Sequence, residues 1–190
     1  MIAQEISKNI DGYRLSTYMH KQAEGDDGGK LFMGPIWDVN LGFDNADSHG
    51  NGLGHDPTGW LFAGSPPRGR HGGCSAGCYW YPLWWAMLFA DPDFAPRLAC
   101  RWHALQQAQF SDAALAARVA DHAAVLTESA ARNFERLDIL GRYVWPNPNP
   151  DRRTWAAEVE GMLEWIVTRA AWMDDNMPAL LASCDDGFAG

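Results

Sequence analysis

Apolar residues recur at near-helical spacing at the start of the chain, at Ile2, Ile6 and Ile10, and the period then changes. Two short alternating runs follow, RLSTYMHK and KLFMGPIW, joined by the polar, Gly-rich segment EGDDGG. This pattern predicts the end of a helix over residues 1–10 and a β-hairpin over residues 14–36. Periodicity then lapses through residues 41–78, a loop dense in Gly, Pro, Asp and His. A loop of that length inside a compact domain is usually functional or partly disordered. Helical spacing returns over residues 80–90 and 92–109, the second segment opened by Asp91 and Pro92. A third helix is predicted over 112–136, with Ser111 as N-cap and Leu115, Val119 and Leu126 on one face. The segment GRYVWPNPNPD, with three prolines, must be a connection. A last helix is predicted over 154–177, capped by Thr154, with the apolar stripe Trp155, Val159, Met162, Ile166 and Met173. The expected fold class is α+β, mainly α, with a helical C-terminal half and neither internal repeats nor low-complexity tracts.

Composition narrows the choices. At 190 residues the chain can bury a real core. Its net charge is −9 and no basic run exceeds two residues, which disfavours nucleic acid and anionic membrane as partners. No apolar stretch reaches the length of a membrane span; YWYPLWWAMLFA is short and contains Pro82. Ten Trp are many for this length, but they are scattered, and Trp84–Trp85 is the only adjacent pair. That favours packing, and Trp37, Trp84, Trp85, Trp102, Trp165 and Trp172 are expected to be mostly buried. A row of exposed Trp would instead mark a carbohydrate-binding module. The chain opens as MIAQEISKNIDGY, inside a periodic segment and without a signal peptide, so an N-terminal part of a larger protein is expected to precede it. Cys74 and Cys78 have a spacing seen in some metal sites, but no second Cys or His pair follows at zinc-finger distance. A disulfide in or near that loop and free thiols are equally compatible with the spacing, and Cys100 and Cys184 are left unassigned.

The candidate chemistry sits at either end of the hairpin. Asp38, in GPIWD, comes just past a strand end after apolar residues expected to be buried. A carboxylate at the mouth of a core is costly unless paired or metal-bound. Asn40, two residues on, could add an oxygen to the same ion. Asp11 follows the first helix; an Asp-Gly pair there is more often a helix stop than a functional group. The long loop offers Asp44, Asp47, His49, Asn51, Gly52 and Asp56, but the EF-hand template fails, because the twelfth position from Asp47 is Thr58 rather than Glu. No G-x-G-x-x-G, Walker A or G-x-S-x-G motif occurs.

The segments EISKNIDGYRLSTYMHK and GKLFMGPIWDVNLGF, with YPLWWAMLFADPDF, CRWHAL, AARNFERLDILGRYVWPNP and WIVTRAAWMDDNMP, together resemble the spore-coat kinase (CotH) family over roughly Glu5 to Pro178. The resemblance implies an atypical protein-kinase-like C-lobe, occupying residues 1–178 with a tail at 179–190. It implies ATP with Mg²⁺ or Mn²⁺, and transfer of the γ-phosphoryl group to Ser or Thr of secreted or surface proteins. Asp11 resembles the catalytic-loop Asp that orients the acceptor hydroxyl, and Asp38 the metal-binding Asp after the hairpin. Ser16 stands where kinases commonly place an Asn on the second metal. The nucleotide-binding N-lobe has no counterpart here, so the chain is expected to be inactive alone, with the missing lobe as its partner. The intact protein is expected outside the cell or in its envelope. An inactive pseudokinase scaffold and a Trp-rich carbohydrate-binding module are the alternatives.

Overall fold

The computed structural model describes residues 1–21, 23, 29–46, 54–64, 81–179 and 184. Five α-helices and one two-stranded sheet appear among them: α1 (Ile2–Ser7), β1 (Met19–Lys21), β2 (Leu31–Met33), α2 (Trp84–Ala90), α3 (Phe94–Gln106), α4 (Asp112–Arg136) and α5 (Trp155–Asn176), with a 3₁₀ turn at Leu61–Gly64. The protein is mainly helical with a small antiparallel sheet, as the hydrophobic periodicity predicts.

Local chemistry sets the helix ends. Ser111 Oγ accepts from the Ala114 N–H, and Thr154 Oγ1 from the Ala157 N–H at 3.1 Å. Both hydroxyls satisfy donors that the first helical turn leaves open. At α3 the Asp91 carboxylate accepts from the N–H groups of Asp93 and Phe94, at 2.9 and 2.8 Å. The two long helices therefore fall within a residue of their predicted bounds.

Helix α5 is the organising element, because α1, α3 and α4 all pack on it. Two apolar clusters form the core. One gathers Ile6, Trp102, Leu115, Trp165, Ile166, Ala170 and Met173; the other gathers Ile10, Tyr13, Ala46, Leu61, Phe62, Tyr81 and Trp85. Trp60 packs against both. Its ring lies 4.9 Å from that of Phe89 and 5.0 Å from that of Trp172. The three buried indoles among the described residues each find a hydrogen-bond acceptor: Trp85 Nε1 donates to the Tyr13 carbonyl, Trp102 Nε1 to Asp174 Oδ1, and Trp165 Nε1 to the His55 carbonyl. Burial of such a large ring is favourable only when its one polar atom is satisfied. Cys100, buried in α3, is disulfide-bonded to Cys184 and so ties the C-terminal segment to the helical core.

Three expectations are corrected. The hairpin's strands are three residues each, in register Met19↔Met33, His20↔Phe32 and Lys21↔Leu31, with one more ladder bond from the Gly34 N–H to the Tyr18 carbonyl. Residues 11–16 form a turn instead, with the N–H groups of Arg14, Leu15 and Ser16 all directed to the Asp11 carbonyl. Trp37 is 57 % exposed, and Ile36 before it is exposed too. Among the described residues the sheet has two strands and no third element covers its alternating apolar positions, so the pattern of a half-buried strand persists without the burial. Leu126 of α4 is exposed, because α4 packs chiefly on α5 and Leu126 lies off that contact. In the predicted loop over 41–78 the described residues hold only the 3₁₀ turn as a regular element, and Ala46, Leu61 and Phe62 there belong to the core. The Cys74–Cys78 pairing lies outside the described residues.

Replacing Trp102 with Ala should destabilise the fold by about 3–5 kcal/mol, as for large buried aromatics. Trp37→Ala should move stability by less than about 0.5 kcal/mol, as at ordinary surface positions. Urea unfolding of the two variants beside the wild type checks both; equal effects would contradict the burial pattern.

Candidate active site

The site begins where α1 stops. Lys8 takes a left-handed conformation (φ 44°), turns the chain out of the helix, and hands it to Asn9, Ile10 and Asp11. This segment then runs beside residues 41–43. The Ile10 N–H donates to the Leu41 carbonyl at 3.1 Å, and the Phe43 N–H to the Ser7 carbonyl at 2.7 Å. The approach is so close that a Cβ on Gly42 would sit 2.7 Å from the Ser7 carbonyl oxygen. Only glycine fits there.

Asn9 joins the two candidate carboxylate turns. Its side chain is fully buried. Its Nδ2 donates to the Asp38 carbonyl at 3.0 Å, and its Oδ1 accepts from the Asp11 N–H at 3.3 Å. One carboxamide therefore spans the backbones of Asp11 and Asp38. Two residues that are 27 apart in sequence, at either end of the hairpin, are brought side by side. Asn9 escaped the reading of the sequence, because a lone Asn before Asp-Gly looks like part of a helix stop.

The two acids differ in their surroundings. Asp11 Oδ1 accepts from Arg14 Nη2 at 2.8 Å in a partly exposed ion pair. Asp38 takes a left-handed conformation (φ 57°), which Asp tolerates better than most residues, and is exposed. Among the described residues no hydrogen bond or ion pair holds its carboxylate. The expectation of a carboxylate at the mouth of a core is thus corrected: Asp38 stands in an open turn. Asn40 is also exposed, and its carbonyl accepts from Asn45 Nδ2 at 2.8 Å. Ser16 is buried beneath the Asp11 turn, its N–H on the Asp11 carbonyl.

The cations nearby are committed elsewhere. Lys8 Nζ donates to the carbonyls of Asp56 and Thr58, at 2.7 and 2.5 Å, and is not free to meet a phosphate. Burial lowers its pKa to about 8, and the Arg169 charge pushes the same way. Asp44, from the calcium-like loop pattern, is no surface ligand. It is buried, and it pairs with His55 and with Arg152 Nη2, while accepting from Asn149 Nδ2. Asp56 caps its own turn, accepting from the N–H and hydroxyl of Thr58.

A divalent cation has a fitting donor set here only of a particular kind. Among the described residues no three His, Cys, Asp or Glu side chains come together as a protein cage. Asp38, with Asn40 close by in the chain, offers one carboxylate and one amide oxygen facing solvent. Mg²⁺ sites are commonly built this way, with one or two protein oxygens and the rest from substrate phosphates and water.

A family model described as CotH kinase protein matches residues 1–173, and the chain belongs to that family. No curated protein and no solved structure matches the chain. Among the described residues no helix is long and apolar enough to cross a membrane.

Two measurements test the platform. Asn9→Ala removes both hydrogen bonds of a buried carboxamide, each worth about 0.5–1.5 kcal/mol, and should cost about 1–3 kcal/mol in urea unfolding; an unchanged midpoint would contradict the tie. The second follows from Lys8. Between its folded pKa of about 8 and the ordinary lysine value of 10.5, the unfolded chain holds a proton that the folded chain has released. Stability contributed at this site therefore rises with pH across that window and is lost as pH falls toward 8. A pH series of melting temperatures should show the rise in the wild type. The Lys8→Met variant should lack it.

Proposed function

We propose that the chain carries the acceptor- and metal-facing half of an ATP-dependent phosphoryl-transfer site, the C-lobe side of a kinase-like fold. The observation that carries the reading is the Asn9 bridge between Asp11 and Asp38. Phosphoryl transfer demands little covalent chemistry of the protein; it demands positioning and charge stabilisation. A buried carboxamide that fixes two carboxylate turns relative to each other supplies the first.

In this reading Asp11 accepts the hydrogen bond of a Ser or Thr hydroxyl and orients it for attack. Arg14 pairs with the Asp11 carboxylate and fixes its orientation until the acceptor arrives. Asp38 and Asn40 would hold Mg²⁺ or Mn²⁺, which supplies charge neutralisation across the β- and γ-phosphates of ATP. Ser16, buried under the turn, supports Asp11 rather than offering its oxygen to a second ion. The phosphate-binding Lys and the cover over the nucleotide would come from an N-lobe. The uncovered apolar residues of the hairpin region, Leu15, Tyr18, Met19, Met33, Ile36 and Trp37, support such a partner. The Cys100–Cys184 disulfide supports an oxidising location, outside the cell or in its envelope.

The test is radiolabel transfer from ATP to a Ser-rich acceptor protein, with Mn²⁺, by a form of the protein that includes a nucleotide-binding lobe. Asp38→Ala should abolish metal-dependent nucleotide binding. Asp11→Ala should leave binding largely intact and lower transfer by at least about 100-fold, because orienting the nucleophile counts only in the transition state. Turnover that survives Asp38→Ala overturns the assignment. Nucleotide binding without any transfer by the unaltered protein favours the pseudokinase scaffold instead. Residues 1–190 alone should label nothing.

A further inference from the structure

A second site lies away from Asp11 and Asp38. A cavity of about 380 Å³ opens between α4, α5 and the connection that joins them. Its walls are aromatic. Phe134 of α4 and Trp155 of α5 hold their rings 6.0 Å apart, and Trp145 of the connection lines the same space while remaining 56 % exposed. Its floor is a chain of polar groups. The buried Asp44 carboxylate meets Arg152 Nη2 at 2.7 Å; Arg152 Nη1 reaches Glu158 Oε2 at 3.6 Å; Glu158 Oε1 accepts from Asn147 Nδ2 at 3.0 Å. Arg152 and Glu158 each keep about a fifth of their side-chain surface open.

We propose that this cavity binds a neutral sugar ring. Three features converge on that class. The floor's guanidinium, Arg152, is already engaged by Asp44 and Glu158, and the other lining cation, Arg142, is paired with Asp138, so a phosphate or carboxylate would find no uncommitted cation among the described lining residues. A wholly apolar ligand would dry Glu158 and Arg152 without replacing the water that serves their remaining lone pairs and N–H groups. A sugar ring answers both demands at once. Its C–H face lies on the Trp145 indole, and its hydroxyls donate to Glu158 and accept from Arg152. The cavity's volume falls within the range of small-molecule sites and accommodates one or two rings. The network that fixes these polar groups is already made in the free protein, so little side-chain ordering is lost on binding.

The experiment titrates the full chain with glucose, N-acetylglucosamine, cellobiose and N,N′-diacetylchitobiose, following tryptophan fluorescence and, independently, heat of binding. At least one sugar should give a saturable response, with Kd on the order of millimolar. Trp145→Ala should weaken it by roughly tenfold or more, the loss of one stacking platform, with the melting temperature unchanged because the side chain is exposed. Trp37→Ala, equally exposed but on the hairpin, should bind as the wild type does. No response to any of the four sugars, or a response that Trp145→Ala leaves intact, overturns the proposal. So does tighter binding of a Tyr- or Trp-containing peptide that none of the sugars displaces, which would make the cavity a peptide-docking site.

Discussion

Everything in this protein that holds the candidate active site in place depends on one buried ion pair, Glu5 with Arg169. Both side chains are essentially inaccessible to water. Arg169 Nη2 donates to Glu5 Oε2 at 2.9 Å and its Nε to the Glu5 carbonyl; Nη1 donates to the carbonyls of Pro57 and Gly59. The carboxylate accepts in turn from the N–H groups of Leu61 and Phe62. The rings of Trp60 and Trp172 lie near the guanidinium, with centroids 5.7 and 4.9 Å from its carbon. Burial raises the Glu5 carboxyl above its ordinary range, against the pull of Arg169 and the two N–H donors. Burial also lowers Arg169 to about 10. Taking two such ions out of water costs several kcal/mol each, and only near-complete hydrogen bonding offsets it. The planar fork of arginine can reach four carbonyl and carboxylate oxygens on two segments, which a lysine could not do in the same space. The result is that α1, residues 57–62 and α5 share one fixed point.

The consequence reaches Asp11 and Asp38 through a short lever. Helix α1 is six residues long, too short to stand unaided. Glu5 pins it to α5, and Lys8, three residues on, pins its end to the carbonyls of Asp56 and Thr58. Asn9 then has no freedom, and its carboxamide sets the distance between the two carboxylate turns. A buried charge, a buried cation on carbonyls and a buried amide thus follow one another at Glu5, Lys8 and Asn9. Each is costly alone; together they convert the rigidity of a helical core into the position of two acids, one partly and one fully exposed. Buried polar groups at this density buy geometry rather than stability.

How much of this was legible in the sequence varies with the interaction. Helices α4 and α5 were readable because capping hydroxyls and apolar spacing agreed. The Asp11–hairpin–Asp38 order was readable as a motif, but not the physical link between the two acids, because Asn9 acts through a contact between residues far apart in sequence. Arg169 left a trace that could have been followed. It falls in the apolar stripe of α5, three residues after Ile166 and four before Met173, so a charge had to be buried there and an acid had to meet it. The hairpin misled for the opposite reason. Alternation of apolar and polar residues reports which positions could be buried, not whether anything arrives to bury them, and for Ile36 and Trp37 nothing among the described residues does. Asp44 was read among surface oxygens because its partners, Arg152 and Asn149, come from a connection more than a hundred residues away.

Asp44 also connects the two proposed sites. It lies six residues past Asp38, at the end of the segment that pairs with residues 7–10, and its carboxylate anchors Arg152 in the cavity floor. The segment from Asp38 to Asp44 thus has one end on the Asn9 bridge and the other on the polar floor beneath Trp145 and Trp155. Its middle is fixed by Gly42 against Ser7, where no side chain can be admitted. A short segment held at both ends and in the middle cannot change length. The Asn9 bridge and the Arg152 floor are therefore held at a fixed separation. On the proposed reading, a sugar-bearing acceptor seated in the cavity and a hydroxyl presented to Asp11 would be held by one continuous stretch of backbone, and placing the first would help to place the second.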